Sequence, residues 1–223
     1  MVVTGVVNAA SLLPGPLAPG ALATLFGSNL SGKNVSVTLD GMAARLLYAG
    51  DKQINLQIPL ELGPRSSTQM VVTVDGYKSA PVTLPLAVSC PGIFKNGILN
   101  QNNTLNSEST PAPVGSVVQI FTTGLTPPGG WRTTVKIHDR WIDAPDYAGP
   151  APGLMGVQQV NITIPADLPA MTTEVLVCAS NRSSAEQICS WPVKITLSTP
   201  GNNSPQSGKA SHHPGIADRQ PRL

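Results

Sequence analysis

At 223 residues the chain is long enough for one or two domains, and only 12% of its residues are charged, about half the share usual in soluble domains. The formal net charge is +2 with no run of Lys or Arg, which argues against a nucleic-acid partner, because phosphate binding needs concentrated basic residues. No apolar stretch approaches the ~20 residues that span a bilayer, so no membrane span is predicted.

The N-terminal segment Met1–Ala10 lacks a basic region followed by an apolar core, so no signal peptide is visible. Two alternatives stay open: the chain remains inside the cell, or the reading frame has lost a leader. Whether Met1 is the native start is not fixed by the sequence.

The first strands are predicted from alternation and turns. After Pro19-Gly20, the residues Leu22, Thr24 and Phe26 alternate along one strand, and this period of two predicts a sheet with one buried face. Asp40-Gly41 predicts a hairpin, because Asp-Gly adopts the positive φ of a type I′ turn. A further strand ends at Pro59, and a last hairpin follows it.

An internal repeat is the strongest feature of the sequence. Three matches share an offset of 95 residues: Gly20 with Gly115, Phe26 with Phe121, and Leu30 with Leu125. Gln53–Pro59 matches Gln159–Pro165 at an offset of 106, so the second copy needs 11 extra residues, most simply within Asp143–Gly156. Both copies therefore carry the same run of predicted strands.

Two details of the repeat complete its alignment. Val71–Gly76 is matched with Val175–Ser180, and the hairpin tip that corresponds to Asp40-Gly41 is predicted at Asp139-Arg140. Strands every 8–12 residues with turns between them predict sandwiches. The predicted fold is all-β: two tandem immunoglobulin- or TIG-like β-sandwich units at residues 1–90 and 91–198, followed by a disordered tail at 199–223 that is rich in Pro, Gly, Ser and Asn.

Three cysteines bear on the compartment. Cys178 and Cys189 lie at the ends of two predicted strands, Glu174–Ala179 and Ile188–Leu197, where a cross-strand disulfide would form if the two Cα atoms came within about 7 Å. A disulfide would indicate an oxidising compartment, whereas two reduced thiols are the alternative. Cys90 is left unpaired.

Several motifs in combination resemble one family. They are Val6–Ser11, Gln53–Pro59, Pro91–Phe94, Ile98–Gln101 and Gln158–Pro165. Over about residues 5–197 the chain resembles the uncharacterised C-terminal domain family of large secreted acidobacterial (Solibacter-type) proteins. The resemblance implies an extracellular or cell-surface setting and a paired Ig/TIG-like architecture, but no activity, because the family has none assigned. Those domains usually follow a larger protein, whereas here one stands alone.

Catalytic motifs are absent from the sequence. It contains no G-x-S-x-G, H-E-x-x-H, P-loop or G-x-G-x-x-G pattern and no zinc-type cysteine pairs, so no cofactor-binding residues are predicted. One cluster stands out: Asp139, Asp143 and Asp146 are candidate ligands for a divalent cation such as Ca²⁺, and His138 is a candidate catalytic residue. The alternative is a polar hairpin tip, where Asp is common.

Three tryptophans, Trp131, Trp141 and Trp191, lie in or beside the second copy. If they are exposed, such rings stack on sugars or on partner proteins, and otherwise they fill the core.

Two hypotheses of function follow. The first is an extracellular, non-catalytic interaction module that binds carbohydrate, a cell surface or a partner protein. The second is a small hydrolase of esters or lactones, dependent on Ca²⁺ or Zn²⁺ and centred on the stretch from His138 to Asp146, in which a bound metal acidifies water. The composition, the repeat and the family resemblance favour the first.

Overall fold

The computed structural model describes residues 1–63, 65–125, 131–184 and 186–200. Over these ranges the protein consists of β-strands and one 3₁₀ turn, Leu60–Leu62, which confirms the all-β prediction. None of the described segments forms a helix long and apolar enough to cross a membrane. All of the predicted tail except residues 199 and 200 lies outside the described residues.

Two antiparallel sheets form the first half of the chain. Its strands are β1 (Val2–Asn8), β2 (Leu22–Ser28), β3 (Val35–Leu39), β4 (Met42–Ala43), β5 (Arg45–Ala49), β6 (Gln53–Gln57), β7 (Ser67–Val74), β8 (Tyr77–Lys78) and β9 (Val82–Pro85). One sheet has the order β1-β2-β6-β5. The other has the order β4-β3-β7-β8, with β9 also paired to β7.

The second half repeats this arrangement. Its strands are β10 (Gly92–Asn100), β11 (Ala112–Pro113), β12 (Val117–Thr123), β13 (Trp131–Ile137), β14 (Arg140–Ile142), β15 (Tyr147–Pro150), β16 (Gln158–Thr163), β17 (Thr172–Asn181), β18 (Gln187–Cys189) and β19 (Val193–Ser198). The sheet β10-β12-β16-β15 corresponds to β1-β2-β6-β5. The second sheet has the order β11-β19-β17-β13-β14, with β18 also paired to β17.

Each pair of sheets encloses its own hydrophobic cluster. The first cluster includes Leu25, Ile54 and Val72, and the second includes Ile120 and Ile162. These five side chains are fully buried. Burial of one such side chain contributes roughly 1.5–3 kcal/mol, so each cluster is a major source of stability for the sheets around it.

Equivalent hydrogen bonds make the repeat visible in the structure. Gly20 and Gly115 both have a φ of 80°, in the left-handed region that favours glycine. Their N–H groups donate to the carbonyls of Ile58 and Ile164 respectively, at 2.9 Å in both copies. The turn that precedes β2 is therefore built again before β12.

The match of Val71–Gly76 with Val175–Ser180 is wrong by one residue. Met70, not Val71, is the equivalent of Val175. Met70 pairs with Leu39, the last residue of β3, and Val175 pairs with Ile137, the last residue of β13. Since successive side chains of a strand point to opposite faces, this slip exchanges inward for outward positions.

The second hairpin tip is also displaced by one residue from its prediction. Asp40 and Gly41 form the first tip with φ values of 47° and 82°, as expected for a type I′ turn. In the second copy the tip is His138-Asp139, and Arg140 already begins β14. His138, with a φ of 54°, takes the left-handed position of Asp40.

A disulfide joins Cys178 of β17 to Cys189 of β18, with an S–S distance of 2.05 Å. The two residues lie directly opposite each other in the antiparallel pair, which settles the alternative that the sequence left open. Cys90 is a free, half-buried thiol, and its burial raises its pKa.

Hydrogen bonds connect the two halves at two places. The buried N–H of Leu22 donates to Oγ1 of Thr123 at 2.8 Å, and within the second half the Thr123 hydroxyl donates to the carbonyl of Gly156 at 2.6 Å. Nδ2 of Asn8 donates to the carbonyl of Cys90 at 3.0 Å, and the N–H of Cys90 donates to the carbonyl of Gly124 at 2.9 Å. Because a buried donor left unsatisfied costs about 1–3 kcal/mol, these bonds fix the halves against each other.

Candidate functional site

The sheet that contains β2 turns one face to the core and the other away from it. Ala23 and Leu25 fill the core, so Leu22, Thr24 and Phe26 lie on the opposite face, where Phe26 is exposed but Leu22 and Thr24 are buried. In β12 the core residues are Val118 and Ile120, and the residues that alternate with them, such as Gln119 and Phe121, lie on the opposite face. We call the exposed sides of β1-β2-β6-β5 and β10-β12-β16-β15 the first and second outer faces.

Four uncharged side chains recur at equivalent places on these outer faces. The first quartet is Phe26, Gln53, Asn55 and Tyr48, and the second quartet is Phe121, Gln159, Asn161 and Tyr147. In each quartet the Phe lies opposite the Gln on the neighbouring strand, and the Asn lies opposite the Tyr. Core packing does not require these side chains, because they point away from it.

The tyrosine of each quartet lies across the glycine two residues later. A Cβ on Gly149 would stand 2.8 Å from Oη of Tyr147, and a Cβ on Gly50 would stand 2.9 Å from Cζ of Tyr48. Neither glycine has a left-handed φ, so the ring rather than the backbone requires glycine here. Tyr147 also donates its hydroxyl to the carbonyl of Pro150 at 2.7 Å. Tyr48 is nevertheless 55% exposed and Tyr147 is 40% exposed, so both rings offer open aromatic surface.

The two amides of each quartet form the same hydrogen bond. Nε2 of Gln53 donates to Oδ1 of Asn55 at 2.8 Å, and Nε2 of Gln159 donates to Oδ1 of Asn161 at 2.8 Å. A primary amide carries two donor hydrogens and an accepting oxygen, so a pair joined by one bond keeps donors and acceptors for a ligand. The bond also orients both groups in advance.

Most of the insertion in the second copy lies beside its quartet. Four residues separate Tyr48 from Gln53, whereas 11 separate Tyr147 from Gln159, so seven of the 11 extra residues fall here. They form the loop 151–157 between β15 and β16, which lies largely within the predicted stretch. We call this segment the insertion loop.

A shallow, mainly apolar cavity of about 280 Å³ opens on the second outer face. Its apolar lining comes from Phe94, Leu99, Phe121, Leu154 and Val157. The last two belong to the insertion loop, so the loop adds an apolar recess next to the polar amides of the second quartet.

The predicted catalytic residue His138 lies beside Asp139 at the exposed hairpin tip. Nε2 of His138 is 3.9 Å from Oδ1 of Asp139. Asp139 is bonded to Arg140 at 2.7 Å, and Arg140 also binds Asp167 at 2.8 Å, which lowers the pKa of Asp167. Nδ1 of His138 is 3.2 Å from the hydroxyl of Thr173. The tip is thus an ion-pair network rather than an open set of ligands.

The other predicted metal ligands are bonded to different partners. Asp143 accepts from Arg132 at 3.2 Å, and Asp146 accepts from Thr163 at 2.9 Å. Within the described ranges no group of three or more His, Cys, Asp or Glu side chains is placed to hold a metal ion. The metal site and the catalytic role of His138 stay predictions, and this geometry does not support them.

The tryptophans divide between core and surface. Trp131 packs against the second cluster, whereas Trp141 is exposed with Nζ of Lys136 5.7 Å from its ring centre. Trp191 is 69% exposed and lines a groove of about 380 Å³ between the halves, together with Leu13.

Sequence reasoning found part of each quartet but did not recognise a site. The Phe, Gln and Asn positions are matches of the repeat, whereas the equivalence of Tyr48 and Tyr147 was missed. The sequence Tyr-Ala-Gly, which occurs at 48–50 and again at 147–149, carries the information that would have found it.

No protein-family model matches the sequence, and no curated protein is similar enough to count as a relative. Among solved structures, SGBP-B of the Bacteroides ovatus mixed-linkage glucan utilization locus, in complex with a mixed-linkage heptasaccharide, is 17% identical with a TM-score of 0.44. The match covers 82% of this chain and 43% of that protein. Domains 5–6 of the S-layer protein SbsC are 11% identical at a TM-score of 0.33, over 89% of this chain and 97% of theirs. Tandem immunoglobulin domains of titin are 9% identical with a TM-score of 0.24, over 89% of this chain and 97% of theirs. Similarity of this degree concerns the fold alone, and the acidobacterial resemblance stays a prediction.

Proposed function

We propose that the chain is a non-catalytic, glycan-binding module that uses its outer faces. One observation carries the proposal: the same uncharged quartet, with a tyrosine lying across a glycine and a hydrogen-bonded amide pair, stands on the outer face of both copies. A sandwich needs no such arrangement on its solvent side.

The chemistry of the quartets suits a neutral sugar. A pyranose ring has an apolar C–H face and a rim of hydroxyl groups. A rigid aromatic ring buries the C–H face at little conformational cost. Amides that both donate and accept match hydroxyl groups, which do the same. Tyr48 and Tyr147 therefore supply contact area, and the amides supply orientation.

The disulfide supports a site of action outside the cytosol. Disulfides persist in oxidising compartments and are rare where thiols are kept reduced. The bond between Cys178 and Cys189 therefore favours an exported protein, as the family resemblance does.

Affinity electrophoresis and calorimetry on soluble neutral polysaccharides test the proposal. Wild type, Tyr48→Ala, Tyr147→Ala and the double variant are compared with Tyr77→Ala, which removes a 79% exposed tyrosine from β8, outside both quartets. Each quartet substitution is expected to weaken binding about tenfold at its own site, and the double variant should abolish it. The Tyr77→Ala variant should bind as wild type does.

Two results would overturn the proposal. One is folded wild-type protein, verified by circular dichroism, that binds no polysaccharide of a panel of glucans, mannans, xylans and galactans. The other is binding that survives in the double variant.

A further inference from the structure

The two outer faces meet at the insertion loop. Leu22 and Gln57 point outward from the first sheet, and both contact the loop at Gly156: a Cβ there would clash with Cδ2 of Leu22 and stand 3.4 Å from Nε2 of Gln57. The same loop places Leu154 and Val157 in the apolar cavity of the second outer face. One loop thus touches both outer faces.

The buried side chain of Thr123 holds the insertion loop in this position. Thr123, fully buried at the end of β12, accepts from the N–H of Leu22 and donates to the carbonyl of Gly156. One side chain therefore ties the start of β2, the end of β12 and the insertion loop together. The relative position of the quartets is fixed before any ligand arrives.

The distance between the quartets has an upper limit. Thr24, opposite the asparagine of the first quartet, is two residues from Leu22, and Gln119, opposite the asparagine of the second, is four residues from Thr123. With about 3.3 Å per strand residue and the 2.8 Å bond between Leu22 and Thr123, the two positions lie at most about 30 Å apart. An extended chain of several sugar rings covers such a span.

We propose that both quartets bind one neutral, linear glycan chain at the same time, with the insertion loop as the floor between them. The inference rests on the proposed function and adds the ligand class and the mode of binding. Neutrality is inferred from the absence of charge in the eight quartet side chains, and linearity from the limited span and the single loop that touches both outer faces. Once one quartet is occupied, binding at the other becomes intramolecular, which raises the overall affinity without any new contact.

Isothermal calorimetry measures this gain. The probes are soluble β-glucan, glucomannan and xylan, each compared with its own trisaccharide. Wild type is expected to bind a polymer, counted per trisaccharide unit, about 100-fold more tightly than the trisaccharide. Tyr48→Ala or Tyr147→Ala should lower this gain about tenfold, because the altered quartet binds about tenfold more weakly, while the remaining quartet still binds the trisaccharide. Tyr77→Ala should retain the gain.

The outcomes separate the inference from the proposed function. Equal affinity for polymer and trisaccharide in wild type would show two independent sites, which overturns the inference and leaves the proposed function standing. A gain that persists undiminished in both single-quartet variants would also overturn it. If neither polymer nor trisaccharide binds, the inference and the proposed function fall together.

A matched pair of loop variants tests the bridging role directly. Gly153 and Gly156 have φ values of 73° and 69°, so alanine strains the backbone equally at either position. A Cβ on Gly153 meets nothing within 4 Å, whereas one on Gly156 collides with Leu22. Gly156→Ala is therefore expected to reduce the polymer gain, the ratio of polymer affinity to trisaccharide affinity, at least about tenfold relative to Gly153→Ala. Equal gains in the two variants would overturn the bridging role.

Discussion

The two copies keep the same sheet order, the same opening turn and the same quartet, but they differ in what surrounds the quartet. In the first copy, the residues 50–52 join β5 to β6, whereas in the second the seven-residue insertion loop joins β15 to β16. The second copy alone carries the disulfide between Cys178 and Cys189. Both additions are in the second copy, but the insertion loop lies beside the shared outer face, whereas the disulfide lies in the opposite sheet.

The amides show the same difference. Gln119 takes the place of Thr24, receives a hydrogen bond of 3.3 Å from Gln159, and donates to Asn103 at 2.8 Å. The second quartet is thus extended into a ladder of amides, whereas the first has a single pair. The quartet is therefore the part of the proposed site that both copies share, and we expect the second copy to bind glycan more tightly than the first.

The largest expected effect tests whether the copies are independent in stability. Leu56 and Ile162 are equivalent, fully buried core residues. Leu56→Ala and Ile162→Ala should each lower the free energy of unfolding by about 2–5 kcal/mol, because each leaves a cavity in a packed core. Urea denaturation measures the loss, and amide hydrogen exchange should rise in the altered copy first. Exchange that rises equally in both halves would show that they unfold as one unit and would remove the predicted boundary at residue 90.

Removal of the disulfide should affect the second copy more than the first. The bond closes a loop of 11 residues, so the variant Cys178→Ala/Cys189→Ala should lose about 3 kcal/mol of stability by restoring freedom to the unfolded chain. Thermal unfolding with and without a thiol reductant measures the effect. A Tm of wild type that does not change on reduction would contradict it, and the Cys90→Ala variant controls for the free thiol.

The glycines beneath the tyrosines offer a subtler change to the site. Gly50→Ala and Gly149→Ala should displace the rings without removing them, and weaken trisaccharide binding at their own quartet about three- to tenfold. Tyr77→Ala in β8, outside both quartets, is the control. Calorimetry of the three variants gives the comparison, and equal affinities would show that the position of the ring does not matter.

The strands and their turns could be predicted because the information is local. Asp40-Gly41 and Gly20 encode their turns by backbone conformation alone. The error at β17 arose because Val175, Leu176 and Val177 are all apolar, so alternation does not show which face is buried. The contact between the insertion loop and Leu22 depends on how distant strands pack, which no local pattern records.

The candidate site was harder to predict than the fold, for a physical reason. Titratable residues such as Asp139 and Asp143 stand out in a weakly charged sequence, yet in the structure they form surface ion pairs with Arg140 and Arg132. Neutral Tyr, Gln and Asn side chains carry no such mark. They become a site only when strand pairing places them side by side.

The smallest expected effect concerns the hairpin tip of the first copy. Asp40 accepts from the N–H of Gln69 and from Arg65, both at 2.9 Å, and these bonds, the backbone bond first, lower its pKa. Because the folded pKa is below the unfolded one, the ionised group stabilises the fold above the ordinary aspartate pKa of about 3.9, and this stabilisation is lost as the pH falls through the folded pKa. The Tm of Asp40→Asn should therefore lie slightly below that of wild type at neutral pH, since the side chain is exposed, and the difference should shrink as the pH falls below about 3.9. Scanning calorimetry at several pH values measures the difference. A difference for Asp40→Asn that stays constant as the pH falls from about 5 to about 3 would contradict the assignment.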